Sequence, residues 1–255
     1  MIEPNRIYLG DCLELMKEID DKSIDLICCD LPYAVLNKSN KNAQWDCEIS
    51  LDKLWEQYNR IIKDHGAILL FGQGMFTAKL MMSNPDMWRY NLIWNKDRTT
   101  GFLNANRMPL RCHEDIVVFY KKLPTYNPQM EQGTPNHSRG KGKHKETNNC
   151  YGSYKNLDDD VITDMKFPKS IISIKKEHET TVYHPTQKPV DLIRYLIRTY
   201  SNKGDLILDN TCGSGTTAIA AYREGRNFIC MEKDEKYFQI AADRYREETK
   251  NIRLF

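Results

Sequence analysis

The stretch SIDLICCDLPY, residues 23–33, decides how this chain folds. Its first seven residues are an apolar run interrupted by Asp25. Asp30, Leu31, Pro32 and Tyr33 close the run with an acid, a ring-locked backbone and an aromatic. Such a run reads as a buried strand over 24–29 that becomes loop at the quartet. Ligands bind at that carboxyl edge in open parallel sheets, so the quartet stands where chemistry is expected. A carboxylate beside a flat ring suits a planar base with an exocyclic amino group: the oxygen takes the amino protons and the ring stacks on the base. A base presented in this way has first to leave its duplex stack. Read alone, the four residues equally describe a strand-ending turn, where Asp and Pro are common.

The pattern on either side supplies a sheet for this edge. Arg6–Leu9 reads as a strand, and Asp11 caps a short helix that turns Leu13, Met16 and Ile19 inward. Leu51, Leu54, Tyr58 and Ile61 fall on one helical face, and His65-Gly66 is expected to end that helix before a strand over 67–72. Two further strands are predicted at Asn91–Trp94 and Asp115–Tyr120. From about Lys121 to Tyr183 the periodicity stops. That span is too long for an ordinary connection, so it reads as an inserted subdomain or a functional loop.

Regular structure resumes after HPTQKP, residues 184–189. Pro189 can open a helix with Val190, Ile193, Ile197 and Tyr200 on one face, ended by Lys203-Gly204. A short strand, Leu206–Leu208, runs into DNTCGSGTT, residues 209–217. A helix over Thr216–Glu224 stops at Gly225, a strand over Asn227–Met231 ends at Glu232, and a last helix gathers Tyr237, Ile240, Ala241 and Tyr245 on one side. Alternation of this kind predicts an α/β fold with a mostly parallel sheet. Gly213 and Gly215 let the backbone pass close under a ligand, and the helix after them favours an anion. Glu232, 17 residues beyond Gly215, can accept both hydroxyls of a ribose. The third glycine of a dinucleotide fingerprint is missing, because Thr216-Thr217-Ala218 follows Gly215. A nucleoside with an amino-acid tail therefore fits better than nicotinamide.

Composition narrows the class further. At 255 residues the chain is one α/β domain with an insertion or two small domains, and either buries an ample core. Lys and Arg number 37 against 35 acids, so net charge alone gives no mandate for nucleic acid. The eight cysteines contain no CxxC pair, which suits reduced thiols and predicts no structural metal. MIEPNRIYLG has no apolar signal segment and no apolar run exceeds five residues, so the expectation is a soluble, cytoplasmic protein with no membrane partner.

Taken together and in this order, DLPY at 30–33, HPTQKP at 184–189, DNTCGSGTT at 209–217 and the acid at Glu232 resemble the amino-methyltransferases of DNA. Members of that family use S-adenosylmethionine and carry a (D/N/S)PPY quartet with a glycine-rich cofactor motif. With the quartet first, a nonperiodic insert next and the cofactor motif last, the chain resembles the circularly permuted β class, over nearly its whole length and only weakly in the insert. The resemblance implies a Rossmann-like methyltransferase fold with helices on both faces of a twisted sheet. It divides the chain into a catalytic half (1–120), a target-recognition insert (121–183) and a cofactor-binding half (184–255). The resemblance further implies a bacterial or phage-infected host cell and a place in restriction-modification, and β-class members often pair as homodimers.

Carried over residue by residue, the resemblance has Asp30 accept a hydrogen bond from the target amino group, the Leu31-Pro32 backbone supply a second acceptor, and Tyr33 stack on the flipped base. Asp209 and the Gly213-Ser214-Gly215 turn, with Thr217, lie near the methionine part of the cofactor. Glu232 meets the ribose, Thr186 and Lys188 the methionine carboxylate, and Asp11 the adenine amino group. Leu31 departs from the common pattern, where many members have proline, yet every residue has a carbonyl to offer. No cysteine follows a proline, which disfavours covalent attack on a cytosine ring. Asp at position 30 leans toward adenine N6, with cytosine N4 as the alternative and an RNA or protein-amide methyltransferase of the same fold behind it.

If the substrate is DNA, the acid-free run NHSRGKGKHK, 136–145, becomes a phosphate-gripping arm through Arg139, Lys141, Lys143 and Lys145; otherwise it is a solvated face. The polar loop Leu36–Gln44 is expected to close over the flipped base.

Overall fold

In the computed structural model, which describes residues 2–33, 47–134, 164–176, 183–184 and 186–251, strands and helices alternate along most of the chain. Arg6–Leu9 forms β1 and Ile24–Cys29 forms β2, joined by the single-turn helix α1, Cys12–Leu15, and a 3-10 turn. Helix α2, Leu51–Ile61, leads into β3, Ile62–Gly72. Then come α3, Met75–Ser83, and the long strands β4, Trp88–Thr100, and β5, Arg111–Phe119. Short strands β6, Glu131–Gln132, β7, Met165–Lys166, and β8, Ile171–Ser173, precede α4, Val190–Tyr200. The chain continues with β9, Leu206–Asp209, α5, Thr216–Arg223, β10, Asn227–Glu232, and α6, Glu235–Asn251.

Among the described residues, eight strands form one sheet in the order β1-β10-β9-β2-β3-β5-β4-β8. The run from β1 to β3 is parallel throughout; β5 is antiparallel to β3 and β4, and β8 is parallel to β4. Alternation along the strands builds an apolar layer on each face. Leu26, Cys28, Leu69, Ile207 and Phe228 pack with Leu196 and Ile197 of α4 and Ala220 of α5. Ile27, Cys29, Ile68, Leu70 and Leu208 pack on the other face with Met16, with Leu54 and Tyr58 of α2 and with Leu80 of α3. Covering both faces is what makes the parallel strands near-continuous apolar runs in the sequence. This is the Rossmann-like α/β architecture, with a mostly parallel mixed sheet.

Two compact units divide the chain. Met1–Asn127 with Ser170–Phe255 makes the sheet unit, and Pro128–Lys169 makes the second. In the second unit β6 pairs antiparallel with β7, and Gly133 N donates to the Asp164 carbonyl at 2.6 Å. β8, although it lies inside the span 121–183, pairs with β4 in the sheet unit.

Several local expectations need correction. Helix α2 ends at Ile61, and His65-Gly66 sits inside β3 instead of terminating the helix. The β-branched pair Ile61-Ile62 turns the chain into strand early, with Ile62 opposite Ile24. Gly66 answers to crowding: a Cβ there would lie 2.7 Å from Ile62 Cδ1 and 2.8 Å from the Asp25 carbonyl, where the β2–β3 register shifts. Pro189 is the N-cap of α4, with ψ 138°, and not its first helical residue. Helix α3 was not anticipated, because apolar residues surround it: Phe76 and Leu80 are buried while Met75 and Met82 are exposed, so no amphipathic period marks it.

Candidate functional site

Parallel strands point their carboxyl ends the same way, and the sheet order sets the DLPY turn beside the glycine-rich turn. β2 pairs directly with β9, Ile27 opposite Leu208, so Asp30 and Asp209 emerge from neighbouring strands. The Thr211 hydroxyl donates to the Asp30 carbonyl at 3.1 Å. The Cys29 thiol donates to Asn210 Oδ1 at 2.7 Å, and Asn210 N donates back to Cys29 Sγ at 3.2 Å. The two turns are thereby tied to one another by hydrogen bonds.

Beyond β9 the glycine turn is shaped by its surroundings. Gly213 and Gly215 have φ of 53° and 80°, in the left-handed region. A Cβ on Gly215 would lie 2.8 Å from Ala241 Cβ, so this glycine admits α6, while the nearest atom to a Cβ on Gly213 is His184 at 3.9 Å. Glu232, at the end of β10, braces the turn by accepting from Gly213 N at 2.8 Å and Asp234 N at 2.9 Å. Burial raises its carboxyl against those bonds. Asp209 accepts from the Thr217 hydroxyl at 2.5 Å and from Thr211 N at 3.1 Å, and burial lifts it to about 6. Ser214 donates to Gln187 at 2.8 Å. Asp11 caps α1 through Leu13 N at 3.0 Å and pairs with Lys233 at 3.0 Å, which lowers its pKa.

On the quartet side, the Tyr33 hydroxyl donates to Asp30 Oδ1 at 2.9 Å and its ring packs on Phe76, with centroids 4.5 Å apart. Asp30 Oδ2 accepts from Lys188, whose ammonium also lies 3.3 Å from Glu114 Oε2 and over the Phe71 ring. Burial raises Asp30 while Lys188 opposes the rise. Burial also presses the Lys188 ammonium down, yet Asp30 and Glu114 outweigh it and raise the pKa. Glu114 is completed by Lys96 at 3.0 Å, whose side chain is 1% exposed. His184 shares its Nδ1 with the Thr186 hydroxyl at 3.0 Å, and burial holds its ring at about 4, so the imidazole is neutral at pH 7.

These residues surround a cavity of about 610 Å³. Asp30, Leu31, Pro32 and Tyr33 line it, as do Asp11, Thr186, Lys188, Asp209, Gly213, Ser214, Thr217 and Glu232; Gly215 stands behind, against α6. Lys188, expected beside the cofactor carboxylate, lies on Asp30. Glu114 and Lys96 were not read from the sequence. Their signal is the two-residue period: Glu114 shares a strand face with Ile116 and Val118, and Lys96 with Trp94, so charges occupy inward positions. Arg139, Lys141, Lys143, Lys145 and the loop Leu36–Gln44 lie outside the described residues. Among the described residues, no cluster of His, Cys, Asp and Glu could hold a metal, and no helix is long and apolar enough to cross a membrane.

A cavity of this size is ordinary for a small-molecule site. Two strand-end acids, Glu232 and Asp11, and the open Gly213 turn fit a nucleoside that carries a charged tail.

Comparison with known proteins places the chain among like molecules. The profile of the DNA methylase family that covers N6 and N4 enzymes matches residues 24–243. The type II methyltransferase M.HinfI of Haemophilus influenzae is 30% identical over 273 residues, spanning 95% of this chain and 68% of that protein. M2.MboI of Moraxella bovis, also a type II methyltransferase, is 28% identical over 95% of this chain and 88% of its own. The crystal structure of M1.HpyAVI with SAM superposes with a TM-score of 0.62 at 21% identity, covering 94% of this chain and 98% of that one. The PvuII DNA methyltransferase, cytosine-N4-specific, gives 0.68 at 16% identity over 98% and 92%. The last two likenesses are of fold.

Proposed function

The chain belongs to the family of N6 and N4 DNA methylases, and from that premise we propose that it is a site-specific methyltransferase which moves the methyl group of S-adenosylmethionine to the N6 amino group of adenine in duplex DNA. The observation that carries this reading is the hydrogen-bonded union of the Asp30 turn with the Gly213 turn on one cavity.

S-adenosylmethionine supplies an electrophilic methyl group on a sulfonium. Glu232 and Asp11 hold its adenosine, and Asp209 with the Gly213-Ser214 backbone and Thr217 bounds its amino-acid part. Asp30 and a carbonyl of the Leu31-Pro32 segment accept both protons of the target amino group, which turns the nitrogen lone pair out of conjugation and toward the glycine turn. Tyr33 covers one face of the base, which has left the helix. No enzyme nucleophile is needed. Asp30 need not be a strong base, because the proton leaves readily once nitrogen has become cationic.

Asp at position 30 supports adenine over cytosine. The chain order, with the quartet before the cofactor turn, supports the circularly permuted class. The span 121–183, in which Pro128–Lys169 is a separate compact unit, would read the target sequence, with Arg139, Lys141, Lys143 and Lys145 on phosphates. The protein would act in the cytoplasm of a bacterium or infected cell, alone or as a homodimer.

The test is incubation with methyl-labelled S-adenosylmethionine and duplex DNA, followed by nucleoside analysis. Label in N6-methyladenine is expected. Label in N4-methylcytosine would move the substrate to cytosine, and RNA labelled in preference to DNA would overturn the reading.

A further inference from the structure

Four charged side chains run inward from the target side of the cavity with alternating sign: Asp30, Lys188, Glu114 and Lys96. Burying each ion costs several kcal/mol, and mutual attraction repays that only in part, so stability alone is a weak reason for such a chain. Both oxygens of Asp30 already have a donor, Tyr33 on Oδ1 and Lys188 on Oδ2. Each oxygen can accept a second hydrogen bond, but an amino group arriving at Oδ2 meets the Lys188 ammonium already seated there. Lys188 has somewhere to go: Glu114 Oε2 is buried, makes no hydrogen bond, and lies 3.3 Å from the ammonium.

We propose that Lys188 is a positioning residue for the target base, holding the Asp30 carboxylate until the base arrives and then shifting onto Glu114 Oε2 to release Asp30 Oδ2 to the incoming amino group. The proposal rests on the base-amino reading of Asp30. Lys96 anchors Glu114 through Oε1, which leaves Oε2, already ion-paired with Lys188 at 3.3 Å but not hydrogen-bonded, as the second seat. The shift exchanges hydrogen bonds within a neutral cluster and moves no proton. It also gives Glu114 a role in the site although it sits behind the quartet.

The groups that act on Asp30 are Lys188, Glu114, the Tyr33 hydroxyl, the Cys28 thiol near the end of β2 and Asp209 at the end of β9, while Lys96 and Lys176 act on Glu114 and Lys188, and Asp115 on Tyr33. Of these, Lys188 favours the ionised carboxylate most strongly and Glu114 opposes it. The two therefore have opposite signatures in the pH dependence of transfer.

The experiment compares wild type, Lys188→Met, Lys188→Arg and Glu114→Gln by single-turnover methyl transfer to duplex DNA across pH, with S-adenosylmethionine affinity from calorimetry and folding from thermal melts. Lys188→Met should slow transfer about 100-fold, as for a reacting group left about 1 Å out of place, with cofactor Kd within about threefold of wild type and the acid limb moved to higher pH. Lys188→Arg should recover most of the rate and restore the limb. Glu114→Gln, which removes the second seat with little change in shape, should slow transfer about tenfold and move the limb to lower pH. A cofactor Kd in Lys188→Met that weakens in step with the rate would seat Lys188 on the cofactor and overturn the proposal. So would acid limbs unmoved in both Lys188→Met and Glu114→Gln. Wild-type protein that transfers no methyl to DNA would remove the base reading itself, a result distinct from either variant outcome.

Discussion

Replacing Gly215 by alanine tests whether the glycine turn is held by its packing on α6. The residue has φ 80°, which costs an L-residue about 1–2 kcal/mol. Its new Cβ would also stand 2.8 Å from Ala241 Cβ and 3.1 Å from Ala241 Cα, and relieving a clash against backbone costs about 1–3 kcal/mol more. The sum is roughly 2–5 kcal/mol, and at about 2–4 °C per kcal/mol for a chain of this size the melting temperature should fall by roughly 10 °C. Gly204→Ala is the control: φ is 86° and nothing lies within 4 Å of the added Cβ, so only the backbone cost applies, and Tm should fall by about 4 °C. Differential scanning fluorimetry of both variants beside wild type reads the two shifts. Equal losses would mean that α6 does not constrain the turn, and the account of Gly215 would be wrong.

Asp30→Ala should abolish methyl transfer, while S-adenosylmethionine affinity, measured by calorimetry, stays within about severalfold of wild type; equal loss of both would put Asp30 in the cofactor pocket. Asp209→Asn should alter the pH dependence of stability. Asp209 sits at about 6 when folded, against about 3.9 unfolded. The folded state therefore binds its proton more tightly, and the group's contribution to stability falls as pH rises through about 4 to 6. The melting temperature of Asp209→Asn relative to wild type should climb across that window, and a difference independent of pH would contradict burial as the cause. Glu114→Gln should leave cofactor affinity unchanged while slowing transfer, read by the assays given above.

How far the sequence could carry the reading depended on whether a residue's environment was local. The parallel core was legible because strands covered on both faces must be apolar nearly throughout, and 24–29, apart from Asp25, and 206–208 meet that condition. DLPY and DNTCGSGTT were legible as strand-ending turns, since acid, proline and glycine mark such ends chemically. Helix α3 was not, because Met75 and Met82 put apolar side chains in solvent and erase the period. Gly66 misled for a related reason: a glycine spared for a neighbour's side chain looks in sequence like one that ends a helix. The seat of Lys188 depends on Glu114, which reaches it only because β5 inserts antiparallel beside β3, a long-range pairing that no local pattern announces.

The most direct measurement is the structure of the protein with duplex DNA and S-adenosylhomocysteine. The account predicts one adenine outside the helix, its N6 within about 3 Å of Asp30, its ring against Tyr33, and the cofactor product along the Gly213 turn. An adenine still stacked in the duplex, or turned into a pocket away from Asp30, would contradict it.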